Sequence, residues 1–262
     1  MMRHVLGVSY LGKHYHGWQI QVDQPSVQEK LEYAISQVAQ STTSVRCAGR
    51  TDRGVHASQQ IIHFDANVPR SSDNWVRGTN AYLPADIRVL WHQEVADDFH
   101  ARFMAYKRRY CYLIKHDTQN DPLWADNAWI LRHSLDIAAI ESACDYLNGT
   151  HDFSSFRSSQ CQAKSPIKTM STPELLSHQK WLSIRFEANA FLHHMIRILV
   201  HALVLIGRHK HPPQWMETLL KDKNRQLIDN MAPSVGLYFE GALYPSCYQL
   251  PYFSNAIGVE GL

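Results

Sequence analysis

The order in which the periodicity changes is the strongest constraint on how this chain folds. Over residues 2–95 it runs strand, helix, strand, strand, helix, strand, and a similar order with longer connections recurs in the second half. Residues 2–10 alternate, with Leu6, Val8 and Tyr10 on one face. Residues 26–40 are the clearest helix: Ser26 can cap it, Glu29 completes a Ser-x-x-Glu box, and Val27, Leu31, Ile35 and Val38 keep helical spacing. Strands are expected over 44–48, 58–66 and 87–95, and a helix over 72–81 that stops before Pro84. No internal repeat is present, so the recurrence hints at two similar α+β halves. A seam near residues 96–99 divides them into 1–98 and 99–262.

The second half continues with a strand over 107–115, Tyr110, Tyr112 and Ile114 on one face and Cys111 and Leu113 on the other. A helix over 135–147 follows the cap candidate Ser134, and 158–165 reads as loop. Strands are expected over 167–177 and 181–187, the latter alternating Leu182, Ile184 and Phe186 with Ser183 and Arg185. A long helix over 190–206 stops at Gly207, a short one starts at Pro212 and Pro213, and a last strand covers 235–243.

Composition narrows the function classes. The 262 residues are 45% hydrophobic and 19% charged, enough for a sizeable core, but the net charge is only +2. Any nucleic-acid surface must therefore come from local clusters: Lys107-Arg108-Arg109, Arg208-His209-Lys210-His211, and Arg50 with Arg53. A solvated polar face is the blander account of each. The five cysteines are odd in number and contain no CxxC pair, and the N-terminus lacks the apolar stretch of a signal peptide. A cytoplasmic setting is expected. The apolar run 195–206 is broken by Arg197 and His201 and is too short to span a bilayer. There is no P-loop, dinucleotide fingerprint, HExxH or Cys/His ligand spacing, and His193-His194, expected on different faces of a helix, make a poor metal pair. No cofactor and no metal is expected.

One stretch carries chemistry: Gly49-Arg50-Thr51-Asp52-Arg53-Gly54-Val55-His56-Ala57. Strand-like flanks place Asp52 in a connecting loop between two arginines, where positive charge keeps a carboxylate ionised and aimed. On charge pattern alone an ordinary exposed Arg-Asp-Arg cluster is the commoner case. The exact string shifts the balance, because Gly-Arg-Thr-Asp-x-Gly-Val-His-Ala resembles the active-site motif of the TruA type of tRNA pseudouridine synthase. Tyr15 to Gln21, Ser26-Val27-Gln28, Asn80 to Val89, Phe99 to Phe103, Arg109 to Tyr112, Gly149 to Arg157, Phe191 to Arg197 and Gly236-Leu237-Tyr238 resemble further motifs of that family, in the family's order along nearly the whole chain.

The resemblance implies a pseudouridine synthase fold, with a central, mostly antiparallel sheet flanked by helices and shared by the two halves. It implies an isomerase that converts uridine to pseudouridine at positions 38, 39 and 40 of the tRNA anticodon arm, working as a homodimer without a cofactor. Asp52 is then the catalytic aspartate. It would attack ribose C1′, attack uracil C6, or remove a ribose proton to give a glycal, and the sequence does not choose. Arg197, among apolar neighbours and read as lying mid-helix, is implied to pair with Asp52; the bland account is a snorkelling arginine. Arg50 is implied to help extrude the target nucleotide, Tyr110 to stack on the uracil, and Leu237 to wall the base pocket. For Tyr110 and Leu237 the default is core packing. Tyr112 is a packing companion of Tyr110.

Two departures from the family pattern stand out. Only one proline, Pro233, precedes Gly236, and His201 stands close to where the family often has glycine. Two rival functions remain: a catalytically silent RNA-binding protein of the same fold, and an aspartate-dependent nucleoside or glycoside hydrolase. The second would want another carboxylate as acid/base partner, and the motif region offers only Asp52.

Overall fold

The structure, a computed structural model, describes residues 2–119 and 121–251. The elements of the first part are β1 (Met2–Tyr10), α1 (Val27–Ala39), β2 (Arg46–Cys47), β3 (His56–Ala66), α2 (Ser72–Tyr82) and β4 (Ile87–Val95). Then come β5 (Lys107–His116), β6 (Trp129–Leu131), α3 (Ile137–Asp145), β7 (Gly149–Asp152), β8 (Ile167–Met170), β9 (Glu174–His178), β10 (Trp181–Ala188), α4 (Met195–Gly207), α5 (Trp215–Asp222) and β11 (Leu237–Leu243). The chain divides into two compact units, one built on Met1–Lys107 and the stretch beginning at Tyr238, the other on Arg108–Leu237.

The seam thus falls later than residues 96–99, and the chain returns to its first unit at the end. Hydrogen bonds give the reason. Arg3 Nη1 donates to the Phe99 carbonyl at 2.9 Å, Ala101 N to His63 Nδ1 at 3.2 Å, and Tyr106 N to the Leu243 carbonyl at 3.0 Å. Residues 99–106 belong to the first unit by their backbone. Residues 252–262 of the expected second half lie outside the described residues.

In the first unit β1 lies between β3 and β4, antiparallel to both, and β2 pairs with β3. β11 joins β3 in parallel, Tyr238 opposite His56 and Phe239 opposite Ala57. β1 is buried on both faces from His4 to Val8, so its expected one-sided alternation gives way to a doubly covered strand. α1 starts as its sequence dictates: Ser26 Oγ accepts from Glu29 N at 3.3 Å, and Ser26 N donates to the Glu29 carboxylate at 3.5 Å. It buries Val27, Leu31, Ala34 and Ile35, and ends at Gln40 with φ 55°.

In the second unit β10 pairs antiparallel with β5, β9 and β8, and β7 with β8, while β6 lies parallel to β5. α4 is buried almost all round. A Cβ on Gly207 would stand 2.7 Å from Ile140 Cδ1, so the glycine permits the close approach of α3 and α4. The α+β expectation holds: both units carry mostly antiparallel strands with helices against them.

Three expected elements differ. α3 is capped by Asp136 rather than Ser134, because Asp136 Oδ1 accepts from Ala139 N at 3.0 Å while Asp136 N donates to the Gly207 carbonyl at 2.8 Å. The strand expected over 167–177 is two, β8 and β9, separated at Ser171–Pro173, since proline cannot donate to a ladder. α4 begins at Met195 instead of residue 190, because His194 adopts a left-handed conformation with φ 65°.

The first unit buries neutral imidazoles. His4, 0% exposed, places Nδ1 3.0 Å from Nε2 of His92, whose Nδ1 lies 3.0 Å from Ser72 Oγ at the start of α2. His4 also stacks on Phe64 at 5.2 Å. Burial pushes His92 down to about 4, reinforced by His4, and pushes His63 down to about 4, reinforced by His100. The unfolded chain takes up protons near pH 6.5 and the folded one does not. Their contribution is present above pH 6.5 and is lost as pH falls from 6.5 towards 4. Thermal unfolding followed by circular dichroism should show Tm dropping across that window, less steeply in His92→Gln.

Candidate active site

The loop between β2 and β3 is positioned by backbone contacts. Gln60 Nε2 donates to the Gly49 carbonyl at 2.7 Å, and Val55 N to the Asp52 carbonyl at 3.1 Å, closing a tight turn in which Gly54 has φ 76°. Thr51, 6% exposed, accepts through its carbonyl from Trp18 N at 3.0 Å, and its hydroxyl sits 2.8 Å from the Tyr10 hydroxyl. Gly17, φ 97°, lies so close that a Cβ would stand 2.8 Å from the Thr51 carbonyl oxygen and 3.2 Å from Arg53 N. Gly12 approaches the Val55 carbonyl closer still, and its N–H donates to His56 Nδ1 at 3.1 Å. That bond leaves the His56 proton on Nε2. The Tyr-His-Gly-Trp segment is therefore a backbone brace for the loop.

Within this frame Thr51 points inward, Asp52 is half-buried, and Arg50 and Arg53 are exposed. A carboxylate kept partly accessible on an immobilised turn can serve as nucleophile or base.

In the second unit Tyr110 lies on β5 opposite Phe186 of β10. Its half-buried ring meets Phe191 edge-on, centroids 5.1 Å apart and planes at 82°. Tyr112 packs as its companion role required: 0% exposed, its hydroxyl donating to the Pro233 carbonyl at 2.8 Å. Burial raises its pKa well above the ordinary phenol value, with Arg197 opposing. Arg197 is in the first turn of α4, not mid-helix, as follows from the later helix start. It binds one residue twice: Nε donates to the Ala232 carbonyl at 2.7 Å, and its own carbonyl accepts from Ala232 N at 2.9 Å. Leu237, 5% exposed, opens β11 just after a short 3-10 turn at Ser234–Gly236.

Thus Arg50 and Asp52 share one loop of the first unit. Tyr110, Arg197 and Leu237 belong to the second, where Tyr112 and the 232–237 segment link β5 to α4. His193 and His194 precede the helix, with ring centroids 3.8 Å apart, instead of diverging on two helix faces. His201, the unusual residue after Arg197, stacks on Trp129 at 6.5 Å. Two contacts leave no local signal in the sequence: Phe191, in the family-like stretch before α4, meets Tyr110, and Tyr10 on a strand meets Thr51 in a loop far along the chain.

The family described as tRNA pseudouridine synthase matches residues 7–104 and 143–245, which include Arg50, Asp52, Arg197 and Leu237, with Tyr110 between the two stretches. The chain is 47% identical over 250 residues to a tRNA pseudouridine synthase A of Dechloromonas aromatica (strain RCB), covering 95% of both chains. It is 46% identical over 255 residues to that of Polaromonas naphthalenivorans (strain CJ2), covering 95% of this chain and 96% of the other. It is 43% identical over 261 residues to that of Nitrosomonas eutropha (strain DSM 101675 / C91 / Nm57), covering 100% and 94%. Among solved structures, a Cbf5-Nop10-Gar1 complex matches at 13% identity over 77% of this chain and 45% of that one. Its TM-score is 0.37, too faint to carry an argument.

The brace makes a prediction. Gly17→Ala forces a Cβ onto the Thr51 carbonyl at a left-handed φ, and should cost about 1–3 kcal/mol in urea unfolding. Tyr10→Phe removes one hydroxyl contact and should cost about 0.5–1.5 kcal/mol by the same measurement.

Proposed function

This chain belongs to the tRNA pseudouridine synthase family, an isomerase family, and we propose that it acts on uridines 38, 39 and 40 of the tRNA anticodon arm with Asp52 as its catalytic carboxylate and no cofactor. The observation that carries the reading is the braced turn. Gly12, Gly17 and Tyr10 hold residues 51–55 while Asp52 stays partly accessible.

The reaction breaks the bond between uracil N1 and ribose C1′ and forms one between C5 and C1′. The C5 proton leaves to solvent and N1 ends protonated, so atoms balance without an oxidant or a second substrate. A carboxylate that adds to C1′ or C6, or removes a ribose proton, supplies what this exchange needs. In this reading Arg50 fills the space left by the extruded nucleotide and Tyr110 offers the uracil a flat face. Arg197 is a cation of the substrate site and Leu237 walls the base. Arg197 is suited to that task because Ala232 already fixes its Nε, which sets the direction of the guanidinium. The family resemblance adds a homodimer in the cytoplasm; sedimentation of the purified protein tests the dimer.

Tritium release from tRNA labelled at uracil C5 tests the chemistry. Wild type should release tritium with no added cofactor, and Asp52→Asn should lose release entirely while binding tRNA within about threefold of wild type, since the isostere keeps the loop's shape. Turnover by Asp52→Asn would sink the role of Asp52. Formation of free uracil from uridine, with no tritium released, would favour the hydrolase rival. The tRNA affinity should also fall steeply between 50 and 200 mM salt, by roughly tenfold or more, because phosphate contacts release counterions.

A further inference from the structure

The turn that follows β4 displays an aromatic side chain that the fold does not use. Phe103 is 71% exposed and Tyr106 is 53% exposed. Apolar area left in water contributes little to folding, yet the backbone beneath is firmly held. Phe99, 0% exposed, packs against Tyr244 and Tyr248 at 5.1 and 5.0 Å. Ala101 N donates to His63 Nδ1 at 3.2 Å, and the Ala101 carbonyl accepts from the Tyr244 hydroxyl at 2.6 Å. His100 closes the turn: its Nδ1 accepts from Arg102 N at 3.1 Å and from Phe103 N at 3.4 Å, and its carbonyl accepts from Met104 N at 2.9 Å. The imidazole is then neutral with its proton on Nε2. Burial, followed by Arg3, Arg46 and Arg102, keeps its pKa low. Its ring lies 4.3 Å from that of Phe103 at 32°, and the Arg102 guanidinium stands 5.6 Å over the same ring.

The turn is charged: Asp97 and Asp98 precede it and act on Arg3, and arginines lie beyond it. Arg3 is taken up by Asp65 at 2.8 and 2.9 Å. Arg46 and Arg102 both act on His100. The Cys47 thiol, pushed up to about 12 chiefly by burial, feels Arg50 and Arg102 in the opposite sense. Arg46 and Arg102 thus lie within electrostatic reach of His100, and Arg50 and Arg102 within reach of Cys47; among the described residues neither Arg46 nor Arg50 is in an ion pair. A fixed, exposed ring beside such cations suits a nucleotide, whose base stacks while its phosphates meet the arginines. Arg50 belongs to the Asp52 loop, so the patch adjoins that loop.

We propose that His100, Arg102 and Phe103 form a stacking platform for an unpaired base of the bound tRNA, with Arg46 and Arg102 on the adjoining phosphates. This rests on the tRNA reading above. The platform is built as a rigid turn, so it orders one nucleotide without ordering itself, which lowers the entropic cost of binding.

The test compares wild type with Phe103→Ala, Phe103→Leu, Phe103→Trp and, as an exposed control in the other unit, Leu123→Ala (Leu123 is 80% exposed). Filter binding of an unmodified tRNA transcript gives Kd, and tritium release gives KM and kcat. Phe103→Ala and Phe103→Leu should weaken binding roughly 5- to 100-fold and raise KM with kcat held. Phe103→Trp should bind like wild type, as should Leu123→Ala, and all should share one Tm. Wild-type affinity in Phe103→Ala overturns the platform. Wild-type affinity in Phe103→Leu reduces it to a greasy contact and overturns stacking. A Phe103→Ala protein that loses its oligomeric state but keeps its tRNA Kd assigns the patch to protein association instead. Absence of tritium release from wild type sinks the isomerase reading and is separate, because the platform is read from Kd.

Discussion

The structure depends on a backbone-to-backbone contact. Gly12 and Gly17 bring one stretch of main chain against the Thr51–Val55 turn at distances where a methyl group cannot stand. Side-chain interactions tolerate rotamer changes; a carbonyl pressed on a Cα does not. The placement of Asp52 therefore derives from main-chain geometry. Trp18 N on the Thr51 carbonyl and Gln28 N on the Trp18 carbonyl continue the brace into α1, so a helix with its own capping box anchors the turn.

A second arrangement with the same logic operates in the other unit. Arg197 and Ala232 exchange hydrogen bonds, and Tyr112 holds the next carbonyl, that of Pro233. A strand, a helix start and an irregular segment are fixed by three bonds to two consecutive residues. Burial of the Tyr112 phenol keeps it a donor at all working pH values. One departure from the family pattern is absorbed here: His201 finds the face of Trp129.

What was legible in the sequence followed from local signals. The capping box set the start of α1 at the right residue, and Ile87–Val95 alternated strongly enough to fix both ends of β4. Signals that compete locally misled. Phe191 and Leu192 extend the apolar run of α4 backwards, and nothing in hydrophobicity announces the left-handed His194 that cuts it off. Ser134 and Asp136 are both good caps; the choice of Asp136 came from its bond to Gly207, more than sixty residues away. Pro173 splits the strand expected over 167–177, because proline cannot donate to a ladder. For the site, the motif placed Asp52 on its turn, but Phe191 against Tyr110 and Tyr10 against Thr51 are tertiary meetings with no periodic trace.

The return of the chain to its first unit has a bearing on how the protein is made. β3 enters its ladder at His56 and Ala57, and those residues have β11 as parallel partner through Tyr238 and Phe239. A ribosome delivers the N-terminal strands long before that partner leaves the exit tunnel. The end of β3 next to the Asp52 turn must wait, with a free edge, until residues 237–243 emerge. Closing so long a loop adds only modestly to the entropic cost over a short one, but it orders events. Early nascent chains hold the brace without its final strand, and the first unit is finished only after the whole second unit has been delivered.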